Sequence, residues 1–294
     1  MMSLLDSIND FCDKVKSLNV LIIGETIIDE FVTVIYEGQS MKSICPVYKL
    51  EGAKNVQMGG SLAIANHLRN FCKNVELITN TNNEIVKTRY VDYDDNKKHV
   101  EINKFDTANF KEINIDSSKY DVVIIADFGH GFCDKLNING GFHLMCQTNS
   151  NNFGFNRISK WKNYQKKSVC LDLREASLQM NKKIQFRQEE EIKELFHYEM
   201  QTEHLFLTLG REGSIYTDGK VIIRQKTFES EVVDTIGAGD TFFAFSCLTA
   251  SLKDVLQNDI MLIPALAASL STTWLCNEKS VTPQTLIGHA NRFI

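Results

Sequence analysis

The chain lacks the features that mark several classes of protein. Its 294 residues include only three prolines and no low-complexity tract, which argues against a long disordered connector. Eight cysteines include no Cys-X-X-Cys pair, so buried thiols in a reducing cytoplasm are expected rather than a disulfide framework or a zinc site. No apolar run approaches the roughly 20 residues of a membrane span. The net charge of −5 gives no basic surface for nucleic acid. The N-terminus, Met1-Met2-Ser3-Leu4, lacks the basic start and apolar core of a signal peptide. We therefore expect a cytoplasmic protein that binds neither nucleic acid nor a membrane.

The chain does contain a series of short apolar runs that end in an acid, a glycine or a loop. Each run predicts a buried parallel strand, and helical patterns lie between several of them. This alternation predicts an α/β fold with a doubly wound, mostly parallel central sheet and functional sites at the carboxyl ends of its strands. The length suits one domain over residues 1–294. The runs are Asn19–Gly24, Val75–Ile78, Asp121–Asp127, Ser168–Asp172 and His204–Gly210.

Two segments interrupt this alternation. Residues 31–57 are rich in Val, Ile, Tyr and Thr around a Glu37-Gly38 turn, and residues 85–105 alternate charged and apolar side chains. Both patterns predict antiparallel strands that form a small sheet beside the main one. Surface hairpins without a functional role are the alternative interpretation.

The most specific string in the chain is Asp234–Thr241, which reads Asp-Thr-Ile-Gly-Ala-Gly-Asp-Thr and runs directly into an apolar stretch. Its glycines let backbone amides approach an anion closely. The helix that follows would direct free N–H groups and its positive dipole end at that anion. The acid after the turn, Asp240, can deprotonate a hydroxyl that attacks a phosphorus held there, so the string predicts an alcohol kinase. The alternative, a glycine turn capped by Asp234 or Thr235, explains only one of the acids.

This string resembles the C-terminal signature of the ribokinase/PfkB sugar kinase family, and the resemblance covers nearly the whole chain. It implies a ribokinase-like fold in which the small β-sheet forms a lid, with ATP and Mg²⁺ as cofactors and a possible homodimer through the lid. The resemblance also implies that Asp240 is the general base. The amides of Gly237, Ala238 and Gly239 would stabilise charge on the transferred phosphoryl group, with Thr235 beside the nucleotide.

The stretch Gly24-Glu25-Thr26-Ile27-Ile28-Asp29 resembles most closely the heptose 7-phosphate kinase branch of the family, with Glu25 in place of that branch's first acid. The resemblance implies that Asp29 holds sugar hydroxyls, whereas a cap or turn role is the alternative. It also implies that Gly59 and Gly60 let the backbone approach the substrate. Ala63 stands where the family has Asn, which leaves the acceptor open.

Two further segments are candidates for substrate contacts. Lys87 and Arg89 match a Lys-X-Arg pair of the heptose-kinase branch, and residues two apart on a strand share a face. They are expected to clamp a phosphate already on the sugar, with Lys54 as a weaker addition, unless they form an ordinary charged strand face. His130, which follows a strand end and turn at residues 127–129, is a candidate substrate contact or a structural turn histidine.

The remaining motifs point to the metal and the nucleotide. Asp172–Glu175 resembles the family's Asn-X-X-Glu motif with Asp in place of Asn, which implies that Glu175 and Asp172 hold Mg²⁺ through water. A surface pair between Arg174 and Glu175 is the alternative. The family's Thr-X-Gly-X-X-Gly turn at the nucleotide is matched by Thr208, Gly210 and Gly213. The resemblance also implies that Asn277 lies at the nucleotide pocket.

The sequence thus predicts an ATP-dependent kinase for a sugar or a heptose 7-phosphate-like sugar phosphate, serving surface-polysaccharide precursor synthesis. A kinase for a free sugar or a nucleoside is an alternative. A catalytically weak kinase-fold subunit that binds a sugar nucleotide or a partner enzyme is another, motivated by Ala63 and Asp172. A dinucleotide-dependent dehydrogenase is disfavoured because Gly24 is not followed by Gly-X-X-Gly.

Overall fold

Fifteen strands and seven α-helices form the described part of the protein, a computed structural model that covers residues 3–81, 84–106, 110–185, 187–228, 230–254 and 259–294. The strands are β1 Asn19–Gly24, β2 Thr26–Gln39, β3 Pro46–Leu50, β4 Asn55–Gly60, β5 Asn74–Ile78, β6 Ile85–Asp92, β7 Lys98–Phe105, β8 Ile113–Asp116, β9 Val122–Asp127, β10 Leu136–Asn139, β11 Phe142–Cys146, β12 Lys166–Asp172, β13 Thr202–Thr208, β14 Ser214–Thr217 and β15 Ile222–Gln225. The helices are α1 Leu4–Val15, α2 Ser61–Leu68, α3 Leu173–Gln179, α4 Glu189–Glu194, α5 Ala238–Ser251, α6 Asp259–Ser271 and α7 Pro283–Ala290.

The central sheet has eight strands in the order β5-β1-β9-β11-β12-β13-β14-β15. The strands from β5 to β13 run parallel, and β14 and β15 complete the sheet as antiparallel strands. This confirms the predicted doubly wound α/β sheet, because parallel neighbours need the crossover connections that the helices provide. A separate pair, β8 and β10, runs parallel beside it.

Both faces of the central sheet are covered, which explains why its strands read as continuous apolar runs. In β1, Ile22 packs into one hydrophobic layer together with α1, α2 and α5, while Ile23 packs into the opposite layer. Alternate residues of β9 divide between the two layers in the same way. The core thus lies on both sides of the sheet, and its carboxyl edge is left for polar side chains. Within the described residues, no helix combines the length and the apolar character needed to cross a membrane.

Five strands form the lid, a second sheet in which β2 is central to the pairing. Strands β3 and β4 pair antiparallel with β2, and β7 pairs antiparallel with β6. The prediction of a purely antiparallel lid is wrong at one place, because β2 and β6 run parallel. Helix α2 and strand β5 intervene in the chain between the two, so the connection is a crossover rather than a hairpin. The lid also begins at Thr26, before the predicted boundary.

Candidate active site

The turn predicted in the string Asp234–Thr241, which we call the phosphate turn, leads directly into helix α5. Gly237 is its N-cap with φ +83, a left-handed conformation that glycine adopts without strain. A Cβ at Gly237 would also come within 2.7 Å of Asn277 Oδ1. The buried aromatic side chains that follow, including Phe243 and Phe245, anchor the helix in the core. The turn is therefore held by packing behind it and open in front.

Three backbone amides at this turn are unpaired. Among the described residues, the N–H groups of Gly237, Gly239 and Asp240 have no hydrogen-bond acceptor. The N–H of Ala238 closes the turn by donating to the carbonyl of Thr235 at 3.3 Å. The N–H of Thr241 donates to the carbonyl of Gly237 at 2.9 Å and begins the helix. Free amides at the positive end of a helix form an anion site.

Asp240 lies in the first turn of α5 and is partly accessible to solvent although protein atoms surround it closely. Loss of solvation, together with repulsion from Asp29, raises the pKa of Asp240 to about 7, and Lys87 opposes the shift. A carboxylate with a pKa near neutrality is well matched to a general base. The lid residues Asp29 and Lys87 are thus close enough to α5 to influence its acid.

Strand register brings four polar side chains into one row across the inner face of the lid. Asp29 on β2 is opposite Gln57 on β4 and Lys87 on β6, and Lys87 is opposite Asn103 on β7. We call Gln57, Asp29, Lys87 and Asn103 the inner lid row. The first three are buried, and burial lowers the pKa of Lys87. The row and Asp240 together form the candidate active site.

Arg89 occupies the next inner position of β6, and two carboxylates hold it. Its Nη1 donates to Asp29 Oδ1 at 2.5 Å and its Nε donates to Glu101 Oε2 at 2.8 Å. The guanidinium also lies over the ring of Phe31 at 5.7 Å from the ring centre. Asp29 and Arg89, predicted as separate contacts to hydroxyls and to phosphate, are therefore paired with each other.

Lys54 does not belong to this patch. It forms an ion pair of 2.6 Å with Glu30, which also accepts a hydrogen bond from Thr88. Glu30 follows Asp29 directly on β2, and successive residues of a strand point to opposite faces. The weaker expectation for Lys54 is thus wrong, because the pair lies on the outer face of the lid.

Glu25 supports the loop that carries His130. It is fully buried and accepts hydrogen bonds from the N–H groups of Phe128 at 2.9 Å, His130 at 3.1 Å and Phe132 at 3.2 Å. Burial and the nearby Asp127 raise the pKa of Glu25 to about 7. Glu25, which stands at the position of the first acid of the heptose-kinase pattern, therefore holds the shape of this loop.

His130 contacts the lid at strand β7. Its ring packs against Phe105 with 4.7 Å between ring centres. Burial, with a smaller contribution from Lys87, lowers the pKa of His130 to about 4, so the imidazole is neutral at pH 7. Its Nε2 is buried and has no hydrogen-bond partner among the described residues.

Unpaired polar atoms gather at this place. Gln57 Nε2 and Asn103 Oδ1, both from the inner lid row, are also buried without a partner within the described ranges. Unsatisfied buried groups cost free energy, so such a group is typical of a site that a polar ligand completes. Gln57 and Asn103 are not among the residues predicted from the sequence. They lie two residues before Gly59 and Phe105 on the same strands, and residues two apart on a strand share a face.

The predicted glycine pair, Gly59 and Gly60, lets neighbouring polar groups come close to the backbone. A Cβ at Gly59 would lie 2.3 Å from Asp29 Oδ2 and 2.9 Å from Asn277 Nδ2. Gly60 has φ +63 and a Cβ there would meet the carbonyl oxygen of Glu25 at 2.4 Å, so only glycine fits at the start of α2. Asn277 donates its backbone N–H to Gln57 Oε1 at 2.8 Å. Asn277, predicted at the nucleotide, thus lies between the glycine pair and the phosphate turn.

The predicted metal residues form the cap of α3. The N–H of Glu175 donates to Asp172 Oδ1 at 2.7 Å, and the N–H of Asp172 donates to Glu175 Oε2 at 2.9 Å. Thr148 donates its N–H to the other oxygen of Glu175 at 3.0 Å. Glu175 is therefore a buried capping residue and not part of a surface pair with Arg174.

The charges around Glu175 nevertheless suit a divalent cation. Burial, with repulsion from Asp172 and Asp240, raises the pKa of Glu175 to about 8. A bound dication would reverse this repulsion between carboxylates. Both oxygens of Glu175 already accept amide hydrogen bonds, so this donor set fits Mg²⁺ held through water better than Mg²⁺ bound directly.

The predicted nucleotide residues line the same edge of the sheet. Thr208 ends β13 opposite Asp172 in the strand register. Gly210 and Gly213 follow with φ +58 and +95, and a Cβ at Gly213 would lie 2.1 Å from the carbonyl oxygen of Gln225. Thr235 is exposed at the entrance to the phosphate turn. These residues are placed around one edge, as the rule for doubly wound sheets predicts.

Solved structures of low sequence identity share this fold. A ribokinase from Thermotoga maritima matches with a TM-score of 0.66 and 14% identity, over 93% of this chain and 99% of its own. A nucleoside kinase from Methanocaldococcus jannaschii matches with a TM-score of 0.65 and 15% identity, over 95% of this chain and 99% of its own. An Arabidopsis thaliana ribokinase, solved with ribose and ATP, matches with a TM-score of 0.63 and 13% identity, over 93% of this chain and 98% of its own.

The sequence itself also matches a family. Residues 165–255 match the family described as pfkB family carbohydrate kinase. The family match is thus confined to residues 165–255, about a third of the chain, whereas the fold shared with the solved structures covers nearly all of it. The matched segment includes Asp172, Glu175, Thr208 and Asp240, and the lid lies outside it.

Two curated relatives align with short parts of this chain. An ATP-dependent 6-phosphofructokinase of Thermoanaerobacterium thermosaccharolyticum is 50% identical over 40 residues, which are 14% of this chain and 12% of the relative. A ribokinase of Lactococcus lactis subsp. lactis is 48% identical over 52 residues, 17% of each chain. The alignments therefore span less than a fifth of either relative's length.

Proposed function

We propose that the protein is an ATP-dependent kinase that transfers a phosphoryl group to a hydroxyl of a sugar or a sugar phosphate. One observation carries the proposal: Asp240, with its pKa raised to about 7, stands at a helix N-terminus with free amides and faces a polar lid. The matched PfkB family and the ribose and ATP bound to the Arabidopsis ribokinase support it.

In the proposed reaction, Asp240 takes the proton of the acceptor hydroxyl as that oxygen attacks the γ-phosphorus. The new P–O bond forms while the bond to the ADP oxygen breaks, which leaves ADP and a phosphate ester. The amides of Gly239 and Asp240 stabilise charge on the transferred group. Bound Mg²⁺ supplies positive charge to the phosphates, and Glu175 and Asp172 are the residues that would hold its waters.

The lid has a separate part in this proposal. Its inner lid row would orient the acceptor against Asp240, and its closure would keep water from competing as the attacking hydroxyl. An ion pair of 2.9 Å between Lys98 on β7 and Asp234 in the phosphate turn supports this, because it joins the lid to the turn.

The acceptor has two candidates. The resemblance to heptose 7-phosphate kinases favours a sugar phosphate made during polysaccharide precursor synthesis. The low-identity likeness to ribokinases and to a nucleoside kinase leaves a free sugar or a nucleoside as the alternative. ADP release by the full chain with Mg²⁺ and ATP, measured across heptoses, hexoses, pentoses, nucleosides and their phosphates, tests the kinase. ADP release that depends on an added acceptor supports the kinase function. If none of these acceptors stimulates ADP release, the kinase function is contradicted.

The rate is expected to depend on pH through Asp240. The base acts when deprotonated, so kcat/KM should fall about tenfold per pH unit as the pH drops below about 7. Asp29 faces Asp240 as an anion that raises its pKa, and Lys87 faces it as a cation that lowers its pKa. The variant Lys87→Gln should therefore move this limb of the pH profile to higher pH. Lys104→Gln, on the outer lid face, is the matched control and should leave the limb in place; equal profiles would contradict the assignment.

We propose that a second copy of this chain covers the outer face of the lid. Strand register puts Met58, Val56, Val100 and Ile102 on that face, where they are between 39% and 55% exposed. Apolar patches of this kind are typical of interfaces. The double variant Met58→Asp/Ile102→Asp should halve the molar mass measured by light scattering. Phe153→Asp/Phe155→Asp, at exposed residues outside the lid, should leave the mass unchanged. A monomeric wild-type protein would exclude the dimer.

A further inference from the structure

The inner face of the lid carries nearly balanced charge. Its cations are Lys87 and Arg89, its anions are Asp29 and Glu101, and Asp240 faces it as a further acid. A phosphate clamp needs cations with free donors, and bidentate recognition by arginine needs an open edge of the guanidinium. Arg89 directs its Nη1 at Asp29 and its Nε at Glu101, so each of the two edges that could bind a phosphate through a pair of N–H groups already has one nitrogen bonded to a carboxylate. Neither edge is fully open.

Glu101 is the less buried of the two carboxylates on Arg89. Its side chain is 41% exposed, while that of Asp29 is 6% exposed. The bond from Arg89 Nε to Glu101 Oε2 joins β6 to β7 across the sheet. With Asp29 on the other side and Phe31 beneath, it fixes the guanidinium within the lid.

Lys87 does not replace the missing clamp. It forms no ion pair of its own in the described part of the chain, yet it faces Asp29, Glu101 and Asp240. A phosphate dianion would add two negative charges beside three carboxylates and two cations, of which Arg89 is already paired with Asp29 and Glu101. Like charges placed together in a partly buried site repel strongly.

The atoms left without partners suit hydroxyl groups instead. Gln57 and Asn103 offer amide groups and His130 offers a neutral imidazole nitrogen, each buried and unpaired among the described residues. A hydroxyl both donates and accepts, so it can satisfy an amide or an imidazole nitrogen. Three such atoms around Asp29 and Lys87 match a compound with several neighbouring hydroxyls.

We infer that Glu101 is a specificity-determining residue that excludes phosphorylated acceptors by holding Arg89 within the lid. Gln57, Asn103 and His130 then bind hydroxyls of an uncharged polyol acceptor. This inference rests on the proposed kinase function and deepens it by naming the acceptor class.

The test compares kcat/KM for matched pairs of acceptors, each a free sugar and its terminal phosphate, in the pentose, hexose and heptose series. The wild-type protein should prefer the free member by tenfold or more. The variant Glu101→Gln frees one edge of Arg89 and should reduce that preference by about tenfold, the worth of one charge-assisted hydrogen bond. KM for ATP should not change. Glu84→Gln, which removes an exposed carboxylate paired with Lys104, is the matched control and should leave the preference as in the wild type.

The possible failures are distinguishable. A wild-type preference for sugar phosphates would overturn the inference and leave the kinase intact. An unchanged ratio in a folded Glu101→Gln protein would remove the role of Glu101. Turnover of neither member of any pair would overturn the kinase and the inference together. If Glu101→Gln does not fold, Glu101→Asp shortens the reach to Arg89 while keeping the charge, and its ratio decides by the same criterion.

Discussion

Asp240→Asn is expected to lower phosphoryl transfer by about 10²–10⁴-fold, the usual contribution of a general base. The amide cannot accept the hydroxyl proton at neutral pH, whereas the free N–H groups of α5 remain to bind phosphate. Nucleotide affinity should therefore stay within a few-fold of the wild type. Measuring kcat by ADP release, and ATP affinity by calorimetry, separates the two effects.

Asp259→Asn is the matched control for this variant. Asp259 also lies in the first turn of a buried helix, α6, and burial raises its pKa as well. It shares with Asp240 its position in a helix and the direction of its pKa shift, but it has no phosphate turn beside it, so its replacement should leave kcat nearly unchanged. Equal rates in the two variants would contradict the role of Asp240.

Asp29→Asn is expected to reduce kcat/KM for the acceptor by about 10²-fold. Asp29 Oδ1 accepts from Arg89, and Oδ2 packs against Gly59, where a Cβ would clash with it. Replacing the carboxylate removes a charge-assisted hydrogen bond to the acceptor and leaves Arg89 with Glu101 alone. The KM for the acceptor should rise while the KM for ATP holds, as steady-state kinetics with each substrate varied would show.

Glu30→Gln provides the control for Asp29→Asn. Glu30 is the next residue of β2 and carries its own ion pair with Lys54 on the outer face. Removing its charge changes the lid's total charge equally but leaves the inner face intact. A comparable loss in both variants would show that lid stability, and not an acceptor contact, is being measured.

The central sheet could be predicted because its signals are local. The apolar runs at β1, β5, β9, β12 and β13 each carry their own pattern, and the structure has a strand at each. β11 escaped the sequence analysis because its five residues include His143, which is fully buried and bonded to Ser168 at 2.7 Å. A polar residue interrupts the apolar pattern by which a short buried strand is predicted. Its hydrogen bond to a residue of the neighbouring strand, which makes its burial tolerable, is not visible in the sequence.

The sequence motifs name candidate site residues but do not give the contacts between them. Pairing of Asp29 with Arg89 depends on the register of β2 against β6, which no pattern within either strand encodes. The capping roles of Asp172 and Glu175 were accessible, because an acid followed three residues later by Glu before a helix is a capping-box pattern. The same residues match a metal motif and a cap motif, and only the contacts distinguish which bonds they make.

Phosphorus NMR of the full chain with Mg²⁺, ATP and an acceptor identified by ADP release tests the kinase most directly. The account predicts a new phosphomonoester resonance that grows in step with ADP, no inorganic phosphate in equal amount, and loss of both signals in Asp240→Asn. ATP converted to ADP and inorganic phosphate alone, or an ester formed at the wild-type rate by Asp240→Asn, would contradict it.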